Sequence, residues 1–202
     1  GLRPRIAGVS TVRALLRHGH DVIAADDTIT PERLAAAAEL GVELIDSSVR
    51  SVDELLDGCS MLCPAPGVPE THPIIEAALA CGIEIVSEIE LAYRWEQQRP
   101  GGPRRMLAIT ATDGKTTTTK LAVHLLEAAG IRSIDAGNTD TPLVDALDAV
   151  DEAGNERYDA FVVECSSFRL AWTPTFRADA AAWLNLQPDH LNWHRSMNAY
   201  EA

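Results

Sequence analysis

The chain has 202 residues, 46% of them hydrophobic and 23% charged, enough for one large or two small domains, each with its own core. A formal net charge of -13 argues against a general nucleic-acid or anionic-membrane binder, although local backbone N–H groups and single cations can still hold phosphates. The cysteines Cys59, Cys63, Cys81 and Cys165 form no CxxC pair and read as buried, reduced thiols of a cytoplasmic protein, and no apolar run approaches the roughly 20 residues a membrane helix needs.

Strand-like and helix-like segments alternate along the chain. Asp21–Ala25 reads as a strand, and Pro31–Leu40 as a helix with Thr30 as its cap, Pro31 in its first turn and Gly41 as its stop. Met61–Cys63 is a brief strand running into the loop Pro64-Ala65-Pro66-Gly67. Pro73–Cys81 is a helix ended by Gly82, Glu84–Ser87 a strand and Ile89–Gln97 a helix. The segment Arg99-Pro100-Gly101-Gly102-Pro103-Arg104 is the clearest linker in the sequence. After it come the strand Met106–Thr110, the long helix Lys115–Ala129, and the buried strands Asp159–Cys165 and Ala180–Leu184. This alternation predicts an α/β protein with parallel sheets: a Rossmann-like domain over residues 1–99, then a P-loop-type α/β domain over residues 104–202.

Ile109 to Thr119 carries the strongest chemical signal. Ala111-Thr112-Asp113-Gly114-Lys115-Thr116-Thr117 joins a strand to a helix, where backbone N–H groups and the helix N-terminus face an anion. Gly114 allows close backbone approach, Lys115 brings a charge for phosphates, and Thr116 brings a hydroxyl for Mg²⁺. The competing reading is a plain strand–turn–helix whose threonines cap the helix. A lysine there opposes the helix dipole, a conflict that a bound phosphate would remove. Ile109 occupies the position where the usual P-loop has its first Gly, which speaks against a small-molecule kinase.

These residues resemble the shorter G-T-N-G-K-[ST]-T loop of the Mur ligases. Other segments match the same family in order: Pro66-Gly67-Val68-Pro69 with His72-Pro73, Glu88-Ile89-Glu90-Leu91, Gly137-Asn138, Glu164 to Leu170, and Asn185 to His194. The Ser166-Ser167-Phe168 and Asp189-His190-Leu191 forms are most like the member that adds D-glutamate to UDP-N-acetylmuramoyl-L-alanine. The resemblance implies an ATP- and Mg²⁺-dependent ligase of peptidoglycan precursor synthesis, cytoplasmic and monomeric, working through an acyl phosphate. It binds neither nucleic acid nor membrane. The chain is expected to be a fragment, with the central domain incomplete and the C-terminal amino-acid-binding domain absent, and therefore inactive by itself. A non-catalytic nucleotide- or UDP-sugar-binding module of the same fold is the alternative.

Carried over residue by residue, the resemblance makes Thr112, Asp113, Gly114, Lys115, Thr116 and Thr117 the ATP-binding loop. Lys115 and His190 become catalytic residues, Thr116, Glu164 and His190 Mg²⁺ ligands, and Gly8, Ser10, Asp26, Asn138 and Ser166 substrate contacts. From the residues alone, Glu164 suits a structural strand end as well as a site, and His190 next to Asp189 suits a satisfied loop histidine. Asp26 suits a cap or turn, Gly137-Asn138 a turn, and His194 a structural role. The opening loop 1–10 is a looser match, and Pro4 removes a backbone donor from it. Departures from the family pattern fall at Ala65, Ala111, Asp113, Thr139, Asp140, Arg169 and Asn192. Asp113 and Asp140 add negative charge where phosphates are expected, which predicts weak nucleotide binding.

Overall fold

The computed structural model describes residues 8–201; the opening residues 1–7, Pro4 among them, lie outside the described residues. The chain divides into two compact units between Ile85 and Val86.

In the first unit, α1 (Val9–Arg17) starts directly after Gly8, whose φ of 93° is one that L side chains rarely adopt. Two β–α–β turns follow. In the first, β1 (Ala24–Asp26) and β2 (Leu44–Asp46) pair in parallel around α2 (Pro31–Leu40). The Thr30 side chain accepts the Arg33 N–H at 3.3 Å, and α2 stops at Gly41 with φ 72°. After α3 (Val52–Leu56), closed by a Ser51/Glu54 capping box, β3 (Met61–Leu62) and β4 (Glu84–Ile85) pair in parallel around α4 (Pro73–Ala80). Strand β1 lies at the end of the expected segment rather than across it. Ala14, Leu15, Leu55, Leu56, Ile75, Ala78 and Ile85 form the core of this unit.

The second unit opens with α5 (Glu88–Gln97) and holds a four-stranded parallel sheet. Its strands are β5 (Arg105–Thr110), β6 (Ser133–Gly137), β7 (Ala160–Glu164) and β8 (Ala180–Trp183), in the order β6-β7-β5-β8. The central strand β7, Ala-Phe-Val-Val-Glu, is buried at every residue, as expected where both faces are covered. The long helix α6 (Lys115–Ala128) connects β5 to β6; α7 (Leu143–Leu147), α8 (Ser167–Leu170), α9 (Leu191–His194) and α10 (Met197–Glu201) are short.

Three glutamates explain why α5 belongs to this second unit. Glu88, Glu90 and Glu96 are each no more than 5% exposed, and each ties α5 to a different segment. Glu88 accepts the backbone N–H groups of Leu143 and Val144 at the start of α7, and pairs with the Arg169 guanidinium. Glu90 accepts the N–H groups of Thr175 and Phe176 at 3.1 and 2.8 Å. Glu96 takes Arg104 through its backbone N–H at 2.7 Å and its guanidinium at 2.8–2.9 Å. The segment 99–104, read as a linker, is held at both ends. Arg104 is bound to Glu96, and Arg99 to Glu156 and to the Gly102 carbonyl. The expected burial of the thiols holds only for Cys165; Cys81 is exposed, and Cys59 and Cys63 are intermediate. Among the described residues no helix is long and apolar enough to cross a membrane.

Candidate functional site

All four strands of the second unit are parallel, so their C-terminal ends fall on one edge of the sheet, where α/β folds gather their ligands. Register fixes the neighbours: Ile109 of β5 and Gly137 of β6 both pair with Glu164 of β7, and Thr110 pairs with Trp183 of β8. The residues expected in the second unit's site follow these ends: Thr112–Thr117, Asn138, Glu164 with Ser166, and the segment to His190.

The β5–α6 loop is open to solvent at Asp113, Gly114, Thr116 and Thr117. Gly114 caps α6 with φ 86° and no side-chain cap, so the helix N-terminus is presented bare, the arrangement that receives anions. The Lys115 ammonium folds back onto the loop and donates to the carbonyls of Ala111 at 2.6 Å and Thr112 at 2.9 Å. Asn185, beyond the end of β8, fastens the loop. Its side chain accepts from the Asp113 N–H at 3.1 Å and donates to the Asp113 carbonyl at 2.9 Å, and its own carbonyl accepts from the Thr112 N–H. Asn185 stood within a quoted motif but was not expected in the site. Its role depends on pairing across the sheet, which spacing does not reveal.

Glu164 is 2% exposed. Its Oε1 accepts the Asn138 amide at 3.0 Å, while Oε2 is buried with no hydrogen-bond partner. The Ser166 hydroxyl close by in sequence is likewise buried and unpartnered. A buried carboxylate oxygen without a donor is costly, so these groups point to a ligand. Gly137 makes the arrangement possible: at φ 94° a Cβ there would meet the Glu164 carbonyl oxygen at 2.6 Å.

His190 opens α9 in the left-handed region, φ 52°, an uncommon conformation for a residue with a side chain. Its ring packs on Phe168 with centroids 4.7 Å apart, and Nε2 lies 3.5 Å from Asp189. Phe168 also contacts Trp193 and His194, so α8, which follows Glu164 within a few residues, seats the His190 segment. His194 is buried with Nε2 2.8 Å from the Ser167 hydroxyl, in keeping with a structural role. Tyr200 of α10 reaches the loop, its hydroxyl 3.1 Å from that of Thr112.

Arg169 of α8 pairs with the buried Glu88 of α5. Burial raises the Glu88 carboxyl above its usual range, and the Arg169 charge opposes the rise. Burial, reinforced by the Glu88 charge, pushes the Cys165 thiol up to about 12, so it remains protonated and is no nucleophile.

In the first unit, Asp26 lies at the C-terminal end of β1 with Oδ1 accepting the Thr28 N–H at 2.9 Å and pairing with Arg33. Its carboxylate organises the turn into α2. Gly8 and Ser10 flank the start of α1.

Two models of one family together span most of the sequence: the Mur ligase middle domain over residues 109–202, and the Mur ligase MurD-like N-terminal domain over residues 5–87. The chain belongs to the Mur ligase family. Relatives named UDP-N-acetylmuramoylalanine–D-glutamate ligase include those of Frankia casuarinae, 40% identical over 98% of this chain, and Thermobifida fusca, 39% identical over 98%. The chain spans 40% and 41% of the length of these two relatives. Two solved structures share the fold. The UDP-N-acetylmuramate:L-alanyl-gamma-D-glutamyl-meso-diaminopimelate ligase of Neisseria meningitides covers 96% of this chain, with 61% of its own chain matched, a TM-score of 0.55 and 18% identity. A murein peptide ligase of Psychrobacter arcticus covers 92%, with 42% of its own chain matched, a TM-score of 0.51 and 20% identity.

The chain's departures from the family pattern now have positions. Ala111, where the family has Gly, is buried and has no positive φ, so the loop folds around its Cβ, and its carbonyl receives Lys115. Asp113 and Asp140 are exposed at the sheet edge. Arg169, where the family has Gln, is engaged by Glu88. Among the described residues no three His, Cys, Asp or Glu side chains gather to hold a metal unaided. The donors that are present, the Glu164 Oε2 and the Thr116 hydroxyl, are hard oxygens suited to Mg²⁺, and the remaining ligands would come from phosphate and water.

Proposed function

We propose that this chain supplies the nucleotide- and UDP-substrate-binding parts of a ligase that joins D-glutamate to UDP-N-acetylmuramoyl-L-alanine in peptidoglycan precursor synthesis, in the cytoplasm. The relatives' names support the reaction, and one observation supports the site: the buried, unpartnered Glu164 Oε2 on the same sheet edge as the bare N-terminus of α6. ATP, with Mg²⁺ neutralising its phosphates, would supply the phosphoryl group that activates the substrate carboxylate as an acyl phosphate.

The residues of the chain bind and orient. The amides at Gly114–Thr117 and the Lys115 ammonium, once released from the loop carbonyls, receive the phosphates. Glu164 and Thr116 present oxygens to the cation; His190, held in its left-handed turn by Phe168, is a further ligand from the same edge. Asn138 and Ser166 line the substrate side, and in the first unit Gly8, Ser10 and Asp26 are the candidate contacts for the uridine part.

Asp113 and Asp140 favour a second reading, a nucleotide- or UDP-sugar-binding module without catalysis. A chain of the relatives' full length carrying Asp113→Asn and Asp140→Gly separates the two. ADP release that requires both D-glutamate and UDP-N-acetylmuramoyl-L-alanine supports the ligase. Tight UDP-substrate binding with no ADP release supports the module.

A further inference from the structure

We infer that Asn138 is a positioning residue: its amide fixes the Glu164 carboxylate so that one oxygen, Oε2, is presented to the divalent cation. The inference rests on the proposed cation site and assigns Asn138 a task beyond touching substrate.

A carboxylate on a strand end can rotate about its last torsion and offer either oxygen. Here rotation is blocked from one side, because the Asn138 amide donates to Oε1 at 3.0 Å. Asn138 is itself clamped, its backbone N–H donating to the Glu164 carbonyl at 2.8 Å. Gly137 brings the two backbones together, a contact closer than any Cβ would allow. The Gly137 N–H donates to the Thr141 carbonyl at 2.9 Å, closing the turn behind Asn138. The same short turn thus sets the amide donor and its acceptor from both backbone and side chain. The result is a carboxylate with one oxygen satisfied and the other left without any donor in a buried setting, which is the state a cation ligand needs. An amide suits the task, since it donates to the carboxylate without adding charge that would compete with it for the cation.

Asn138 is exposed, so its truncation opens no core cavity and removes only the donor to the buried Glu164 Oε1. Mn²⁺, which is paramagnetic and oxygen-seeking, is the probe, titrated by electron paramagnetic resonance into the 202-residue chain at a fixed millimolar concentration of a non-hydrolysable ATP analogue. The wild type is expected to bind Mn²⁺ and Glu164→Gln to lose that binding. Asn138→Ala is expected to bind on the order of tenfold more weakly. Metal-free affinity of Asn138→Ala for the nucleotide analogue should stay at its wild-type value, because a positioning role acts only through the cation. Wild-type Mn²⁺ affinity in Asn138→Ala, with Glu164→Gln still deficient, overturns the inference and leaves the cation site standing. A parallel fall in metal-free nucleotide affinity makes Asn138 a structural residue of the loop and also overturns it. Equal Mn²⁺ binding by wild type and Glu164→Gln removes the site and the inference together.

Discussion

Replacing Gly137 by Ala perturbs a place where two strand ends touch too closely for a side chain. The new Cβ would lie 2.6 Å from the Glu164 carbonyl oxygen and 3.3 Å from Val163 Cγ1. The oxygen belongs to the backbone of the buried central strand and cannot step aside as a flexible side chain would. A positive φ of 94° adds backbone strain of about 1–3 kcal/mol for a residue with a Cβ. Overpacking of this kind costs roughly a further 1–3 kcal/mol. Together the loss is about 2–6 kcal/mol, a large part of the stability of a typical domain. Gly154 is an internal control, since its φ of 83° carries strain but nothing lies within 4 Å of its added Cβ. Gly154→Ala should therefore show only the strain. All four tryptophans, Trp95, Trp172, Trp183 and Trp193, lie in the second unit, so urea unfolding followed by tryptophan fluorescence reports on that unit. If Gly137→Ala costs no more than Gly154→Ala, the close approach of β6 to Glu164 is not as described.

Glu96→Ala should cost about 3–5 kcal/mol in the same assay, because it strands the Arg104 guanidinium, whose side chain is 8% exposed; Glu96→Met with Arg104→Met should recover most of that loss. Cys165 should resist iodoacetamide at pH 8 in the native chain while Cys81 reacts, and labelling of Cys165 before unfolding would contradict its burial. Its thiol also fixes a sign. The folded pKa of about 12 lies above the ordinary 9.0, so unfolding releases a proton between those values. The thiol's contribution is complete below pH 9.0 and is lost as pH rises towards 12, a slope that Cys165→Ala should remove from an alkaline unfolding series. For Asp113, a carboxylate about 5 Å from a phosphate oxygen costs on the order of 3 kcal/mol at an effective dielectric near 20. Isothermal titration should then give Mg-ATP a Kd well above the low micromolar range, tightened by Asp113→Asn; a low-micromolar Kd for the unaltered chain would refute this.

Much of the second unit was legible because its signals are local. The buried run at β7 and the turn at Gly114 each lie within a few residues of what they determine. The first unit gave up α2 and α4 through Thr30, Pro31 and Pro73, but not α1, and β2 is only three residues long. The helices α8 and α9 hold four residues each, too few to show a period. The segment 99–104 has the composition of a linker, but how it is held does not show in that composition. What holds it is Glu96 on the preceding helix and Glu156, far along the chain, and neither pairing can be read from spacing. Glu88, Glu90 and Glu96 look like the solvated charges of an amphipathic helix, yet they are buried because arginines and backbone donors from distant segments meet them. In the site, Lys115 and Glu164 were nameable from motif and position. Asn185 and the unpartnered Oε2 required the sheet register and the fold.

The most direct test of the account is an amide NMR titration of the isotope-labelled chain with Mg-ATP into the millimolar range, where weak binding is still visible. The account predicts shifts concentrated at Gly114–Thr117, Asn138, Glu164 and the segment from Asn185 to His190. Shifts confined to other surfaces, or an unchanged spectrum at those residues, would contradict a triphosphate site at the C-terminal edge of this sheet.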